Sequence, residues 1–188
     1  MPTIDFLRAY WSPAELATNG VILLNLLGAL LLGLLVGYER SYHGRAAGMR
    51  TYGLVCMAAA ALVAISGYPS FWYGGHSGLV ASADPTRVIQ GIVTGIGFLG
   101  AGIIITRRGA VVGLTTAAAI WESAAIGMAA ASGLLLLAIV VTVLHFVIVV
   151  GIAPLARRAT ARMPGSVHIH VLYEDGRGIL RKLLEACD

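Results

Sequence analysis

The chain has 188 residues, a formal net charge of +4, 58% hydrophobic and only 12% charged residues, and a mean hydropathy of +0.85. A soluble globular domain carries about 25% charged residues, so this composition excludes an ordinary soluble enzyme. The two cysteines, Cys56 and Cys187, lie in unlike settings and predict neither a disulfide framework nor a metal site.

The N-terminal 19 residues precede the first long apolar run. Ser12 and Pro13 are typical of a helix start, as a cap and a first helical residue. We therefore expect residues 1–19 to form an external amphipathic segment with a short helix of its own.

Five apolar segments then have the length that a bilayer requires. A helix needs about 20 residues, each rising 1.5 Å, to cross some 30 Å of hydrocarbon. The sequence therefore predicts an all-α polytopic membrane protein, with spanning helices at roughly residues 20–38, 51–67, 88–106, 111–131 and 133–153.

Arginines near the ends of these segments predict the orientation. Two lie on one side, Arg8 and Arg87, whereas the other side carries Arg40, Arg45, Arg50, Arg107, Arg108, Arg157, Arg158 and Arg162. Because basic residues concentrate on the cytoplasmic side of a membrane, we expect the N-terminus outside and the C-terminus in the cytoplasm.

The third segment contains GIGFLG (95–100), which matches the G-x-G-x-x-G pattern of a dinucleotide-binding turn. That turn needs a strand before it and a water-exposed loop, whereas this stretch has apolar neighbours throughout, so we expect no cofactor site. Glycines instead let membrane helices approach closely. Packing against other helices, a second protomer or another membrane protein is expected at two glycine faces: Gly33 and Gly37 on the first helix, and Gly91, Gly95, Gly97, Gly100 and Gly102 on the third.

Polar side chains at or near membrane depth are the candidate functional residues, because they are costly there. Glu122 lies in the middle of the fourth segment, and His145 in the fifth is a candidate partner for it. Such an acid–imidazole pair is able to take up a proton. The alternative is a protonated Glu122 with a structural role only.

The other polar candidates lie near helix ends: Glu39, Arg40, Arg50, Thr51, Asp84, Arg87 and Gln90. Asp84 is predicted to cap the third helix and to pair with Arg87. By the predicted orientation, Asp84 and Arg87 lie outside and Glu39, Arg40 and Arg50 inside, so the two groups would flank opposite mouths of one helix bundle. Gln90 continues the polar stripe inward.

Asp84 and Glu39 are weak candidates for Mg²⁺, which keeps several waters and binds one or two carboxylates. The neighbouring Arg87 and Arg40 would repel a divalent cation. No nucleophile with an adjacent base, no zinc motif and no phosphate-binding loop is found in the sequence, so we expect a protein that is not an enzyme.

The C-terminal part has a different pattern. After a basic linker (154–165), residues 167–173 alternate as in a strand, and apolar residues recur at helical spacing from Ile179 onward. Residues 166–188 thus predict the start of a small α+β domain that a longer protein would complete.

Several motifs agree with one family in order and spacing: GLLVGYER (33–40), GMRT (48–51), DPTR (84–87), GIVTGIGFLGAG (91–102) and GLTTAAAIW (113–121). The chain resembles, from about residue 28 to 131, the MgtC/SapB family of bacterial inner-membrane proteins. The resemblance implies a five-helix membrane domain (20–153), followed by an ACT-like cytoplasmic domain of which the tail would be the first strand and helix.

The resemblance also implies a function in adaptation to low magnesium and in survival inside macrophages. The protein would be a non-enzymatic regulator of another membrane complex such as the F-type ATP synthase, and a homodimer through its glycine faces is a further expectation. An alternative is a Mg²⁺ or H⁺ transporter that uses the acidic polar stripe. The polar motif residues of the family correspond to Glu39, Arg40, Arg50, Asp84 and Arg87, whereas Glu122 departs from the family pattern. Nothing predicts a nucleic-acid partner.

Overall fold

The computed structural model describes residues 11–69, 84–107 and 110–160. In chain order its elements are α1 (Pro13–Tyr42), α2 (Met49–Gly67), α3 (Pro85–Ile103), β1 (Ile105–Arg107), β2 (Ala110–Val112), α4 (Leu114–Ala131), α5 (Leu135–Phe146), a π-helical segment (Val147–Ile152) and α6 (Ala153–Thr160). By its contacts the chain divides into one unit up to Gly151 and a second from Ile152, of which only α6 and the residue before it are described. The predicted tail strand and helix lie outside the described residues.

Five helical stretches of the described residues are long and apolar enough to cross a membrane. They are Pro13–Tyr42, Met49–Gly67, Pro85–Ile103, Leu114–Ala131 and Leu135–Ala156. The predicted number and order of spanning helices are therefore confirmed. Many leucines of the first and last spans point outward, with Leu136 75% and Leu24 69% exposed, as lipid-facing surfaces require.

The start of the first helix differs from the expectation. Ser12 is the cap, as predicted, and its Oγ accepts a hydrogen bond from the Glu15 N–H at 3.2 Å. The helix then runs without a break from Pro13 to Tyr42. Ser12 therefore caps the first spanning helix itself and not a separate short helix, because no residue from Pro13 to Tyr42 interrupts the helix.

A β-hairpin that the sequence analysis did not predict connects α3 and α4. The sequence predicts that α3 ends near residue 106 and that α4 begins near residue 111. In the structure, α3 ends at Ile103 and α4 begins at Leu114. Between them Ile105 pairs with Val112 in an antiparallel ladder. Gly113 follows with a φ of +96°, and a Cβ at this position would overlap the Ile103 carbonyl oxygen. Only glycine fits this junction without strain.

The core is built from small residues where α2 crosses α1 and α4. A Cβ at Gly33 of α1 would lie 2.7 Å from the Cβ of Cys56 on α2, and a Cβ at Gly127 of α4 would overlap the Cys56 carbonyl oxygen. Since apolar burial drives no association between helices in lipid, close backbone approach supplies the packing contacts. These crossings place the polar end of α1 against α4 and α5.

Candidate functional site

A histidine lies between two carboxylates where α1, α4 and α5 meet. The Nδ1 atom of His145 on α5 is 2.7 Å from Oε2 of Glu122 on α4. Its Nε2 atom faces Oε2 of Glu39 on α1 at 3.5 Å. The predicted pairing of Glu122 with His145 is thus confirmed as a contact, and Glu39 joins it. We call Glu39, His145 and Glu122 the acid–histidine triad.

Burial isolates most of this triad from solvent. The side chains of Glu39 and His145 are only 5% and 4% exposed, whereas that of Glu122 is 26% exposed. Arg40 is buried beside them and its Nε forms an ion pair with Oε2 of Glu39. A buried carboxylate needs such a partner, because an unpaired charge in a low-dielectric interior costs several kcal/mol or more.

His43 extends the cluster toward the exposed end of α1. Its Nδ1 atom lies 2.7 Å from Oε1 of Glu39, and its side chain is 48% exposed. This contact is not predicted from the sequence, because the expected first helix ends near residue 38, whereas α1 continues to Tyr42 and places Glu39 and His43 on one face. Their spacing of four residues in a helix is the signal that would have found it.

Two further polar side chains line the same interior. Tyr52 of α2 is fully buried, and its hydroxyl lies 3.5 Å from the carbonyl oxygen of Thr116 in the first turn of α4. Ser123, next to Glu122 on α4, is also fully buried, and its Oγ has no hydrogen-bond partner within the described part of the chain. Neither residue was singled out from the sequence, since each occurs in an otherwise apolar helix pattern.

The second predicted group lies at the start of α3. Asp84 caps this helix as expected, accepting hydrogen bonds from the Thr86 N–H at 3.0 Å and the Thr86 hydroxyl at 2.6 Å. The hydroxyl and then the N–H of Thr86 lower the pKa of Asp84 from its ordinary value of 3.8. The predicted pair with Arg87 is present at 3.9 Å, with the Arg87 side chain 85% exposed.

The described ion pairs of Asp84 and of the triad form separate groups, with none between them. The other predicted polar residues, Arg50, Thr51 and Gln90, are exposed. Within the ranges that the structure describes, no group of three or more His, Cys, Asp or Glu side chains is arranged so that it could hold a metal ion. Among the described residues, Asp84 and Glu39, the weak candidates for Mg²⁺, are therefore not joined by further ligands that would complete a metal site.

The two glycine faces have different surroundings. Gly33 and Gly37 of α1 are buried against α2, and a Cβ at Gly37 would lie 2.5 Å from the Met49 Cα. On α3, Gly100 contacts Ala117 of α4, but no atom of the described residues lies within 4 Å of a Cβ built at Gly91, Gly95, Gly97 or Gly102. The first face is used inside the chain, and the second is open.

Grooves flank the open glycines on both sides of α3. The larger has a volume of about 650 Å³ between α2 and α3, and its lining includes Leu54, Ala58, Leu62, Gly91, Gly95 and Leu99. The smaller, about 380 Å³ between α3 and α4, is lined by Gly97, Gly100, Ala118 and Trp121 among others. Both are apolar and shallow, so their shape suits a helix or an apolar chain and not a small polar ligand.

The comparisons with known proteins agree on one family. The model of the MgtC family matches residues 26–158. The chain is similar to Protein MgtC of Brucella abortus, with 47% identity over 63% of this chain and 45% of that protein. It is also similar to the putative magnesium transporter YhiD of Escherichia coli K12, with 45% identity over 53% of this chain and 45% of that one.

Protein SrpB of Synechococcus elongatus is 39% identical over 73% of this chain and 78% of its own length. The chain spans less than half the length of the first two relatives. The comparison with solved structures gave no match.

Proposed function

Since the chain belongs to the MgtC family, we propose that it is a non-enzymatic membrane regulator, which binds another membrane protein complex through the open glycine face of α3. The proposed setting is the bacterial inner membrane, with the N-terminus outside and the C-terminus in the cytoplasm. The proposed role is adaptation to low magnesium and survival inside macrophages, and the proposed partner is the F-type ATP synthase. The magnesium-related name of the YhiD relative supports the first part of this role.

The observation that carries this proposal is the exposure of α3 combined with its composition. Only 11% of the apolar window of α3 is buried inside the chain, against 56% for α4. A helix that faces lipid on most sides is normally rich in large apolar residues, and the span Leu135–Ala156, 17% buried and much more apolar, fits that description. Exposed α3 instead carries open glycines at Gly91, Gly95, Gly97 and Gly102.

A glycine that faces lipid makes few van der Waals contacts. When another helix packs on it, the two backbones approach closely and such contacts form. Gly91 and Gly95 are four residues apart, so they lie on one side of α3 in a GxxxG arrangement. The corresponding pair on α1, Gly33 and Gly37, is already occupied by α2. The face of α3 is therefore the better candidate for a partner.

Partner capture tests the proposal. The variant Gly95→Leu places a large side chain on the open face, at a position where no described atom lies within 4 Å of an added Cβ, and we expect it to abolish co-purification of ATP synthase subunits from detergent-solubilised membranes. Gly20→Leu is the matched control, because position 20 on α1 is also open. Gly100 is a poorer position for this substitution, since a larger side chain there would meet Ala117 of α4 and alter folding as well as partner binding. Undiminished capture by a correctly inserted Gly95→Leu protein would refute the docking role of α3.

A second candidate function is the transport of H⁺ or Mg²⁺, favoured by the buried polar triad. Ionisable residues at membrane depth commonly mark ion or proton pathways. The test is H⁺ and Mg²⁺ flux in liposomes that contain the purified protein, comparing wild type with Glu122→Gln and with Asp84→Asn. Flux that Glu122→Gln removes supports transport through the triad. Absence of flux from folded, inserted protein supports the regulator.

A further inference from the structure

We infer that the acid–histidine triad is a proton-binding site, in which His145 takes up one proton at Nε2 and as an imidazolium links Glu39 of α1 to Glu122 of α4. The docking function of α3 does not enter this inference. The triad would supply the proton-binding site that proton transport requires. Proton binding at equilibrium, however, does not require transport.

A carboxylate oxygen lies opposite each ring nitrogen of His145. A neutral imidazole has one N–H donor and one acceptor nitrogen, whereas an imidazolium has two donors. Glu122 Oε2 lies 2.7 Å from Nδ1, and Glu39 Oε2 lies 3.5 Å from Nε2. With Nδ1 donating to Glu122, a neutral ring turns the Nε2 lone pair toward the Glu39 carboxylate. Only the protonated ring presents a donor to both.

The hydrogen bonding of the Nε2 atom of His145 is incomplete. Nε2 of His145 is fully buried, and within the described residues no atom completes a hydrogen bond to it at the present geometry. A buried polar atom without a hydrogen-bond partner destabilises the folded state. Adding a proton to Nε2 turns this atom into a charged donor opposite a carboxylate, and such charge-assisted bonds are the stronger and shorter kind.

The charge of the whole cluster also favours a bound proton. Two carboxylates, Glu39 and Glu122, face one permanent cation, Arg40. With a neutral His145 these four side chains therefore carry one net negative charge, and one bound proton brings the net charge to zero. Because net charge at membrane depth is costly, the surroundings favour uptake of that proton.

The other titratable groups near the triad do not cancel this effect. His43 of α1 contacts Glu39 from the exposed side. Tyr52 of α2 is buried, and it interacts electrostatically with Arg40, Glu39 and Glu122. Arg45, in the α1–α2 loop, also interacts electrostatically with Tyr52. Tyr52 is uncharged near neutral pH. Among the described ion-pair partners of Glu39, His43 is the one that is partly exposed, at 48%.

The binding step is balanced as a simple proton transfer. A hydronium ion or buffer acid gives its proton to Nε2 of His145 and leaves as water or the conjugate base. The proton on Nδ1 stays in its hydrogen bond to Glu122. No bond other than that to the proton forms or breaks, and α1, α4 and α5 become joined through one imidazolium ring.

The test is a pH titration of histidine ¹⁵N chemical shifts in the full chain, reconstituted in lipid nanodiscs. The chain has five histidines, so the His145 signals are identified by their loss in His145→Gln. We expect both ring nitrogens of His145 to carry protons in one pH range and a single transition at higher pH. Glu122→Gln should move its midpoint by about one unit or more toward lower pH, a tenfold or greater loss of proton affinity.

Two controls make the result specific. Asp84→Asn removes an acid outside the triad, and it should leave the His145 midpoint unchanged. Glu122 is partly exposed and lies outside the Glu39–Arg40 ion pair, so Glu122→Gln should fold even if Glu39→Gln does not. A His145 that stays neutral over the whole range, or a midpoint unmoved by Glu122→Gln, would overturn the inference.

Discussion

The carbonyl oxygen of Cys56 on α2 faces Gly127 on α4 so closely that no side-chain atom fits between them. A Cβ at Gly33 of α1 would lie 2.7 Å from the Cβ of the same Cys56. Cys56 therefore marks the point where three spanning helices cross. The acid–histidine triad depends on this crossing, because the crossing fixes α1 and α4 relative to each other.

Replacing Gly127 by alanine should destabilise the bundle. The added methyl group meets backbone, which has no rotamer to move away, so α2 and α4 must separate. We expect a loss of about 1–3 kcal/mol in the free energy of unfolding, as for other overpacked sites. Reversible unfolding in mixed detergent–SDS micelles, followed by circular dichroism, measures it. Gly95→Ala on the open face of α3 is the control and should be nearly neutral; equal stabilities for the two variants would contradict this packing.

Gly113→Ala should weaken the junction between the β-hairpin and α4. Two effects add at this position, since the φ of +96° disfavours any side chain and the new Cβ overlaps the Ile103 carbonyl oxygen. Gly133 also has a positive φ, +77°, but has open space around it. Gly133→Ala should therefore cost only the conformational strain, about 1–2 kcal/mol, and Gly113→Ala clearly more. The same unfolding assay compares them, and a larger loss for Gly133→Ala would disprove the overlap.

Stability should depend on pH through Asp84 in acid solution. Its pKa is lowered in the folded protein by the Thr86 hydroxyl and N–H, so the unfolded chain binds the proton more tightly. The stabilisation is present above the ordinary value of 3.8 and is lost as pH falls through the lowered folded pKa. Asp84→Asn keeps a capping side chain without the charge. The stability difference between wild type and Asp84→Asn should shrink across that window, and a constant difference would argue against the effect.

Ser123→Ala should be neutral or stabilising, although the residue is fully buried. Its hydroxyl has no hydrogen-bond partner within the described residues, so removing it relieves an unsatisfied polar group. Thr142→Val is the contrast, because the Thr142 hydroxyl donates to the Ala138 carbonyl at 2.9 Å. This variant should lose about 1 kcal/mol. A marked loss in Ser123→Ala would show that the hydroxyl is bonded after all.

The sequence predicted the five spanning helices because length and hydropathy alone determine what can cross a bilayer. It also predicted the caps at Ser12 and Asp84, which follow from local residue chemistry. The hairpin between α3 and α4 was missed, since its β-branched residues, such as Ile105 and Val112, are equally typical of a membrane helix end.

The site was predicted only in part. Glu122 and His145 were paired because two ionisable residues in neighbouring apolar helices have few other partners in lipid. The addition of Glu39 depends on how α1 crosses α4 and α5, which periodicity does not specify. Likewise, both glycine faces have the same sequence pattern, and only the packing shows that α2 covers Gly33 and leaves Gly95 open.

The most direct test of the regulator proposal is photo-cross-linking in living bacterial membranes from position 98, where Phe98 projects from α3 with 80% of its surface exposed. A photoreactive phenylalanine analogue there should form an adduct with an ATP synthase subunit, and Gly95→Leu should abolish it. The same analogue at Leu136 of α5, 75% exposed, should give only lipid and diffuse products. Identical patterns from the two positions, or an adduct from Phe98 that contains only a second copy of this chain, would contradict the proposed partner.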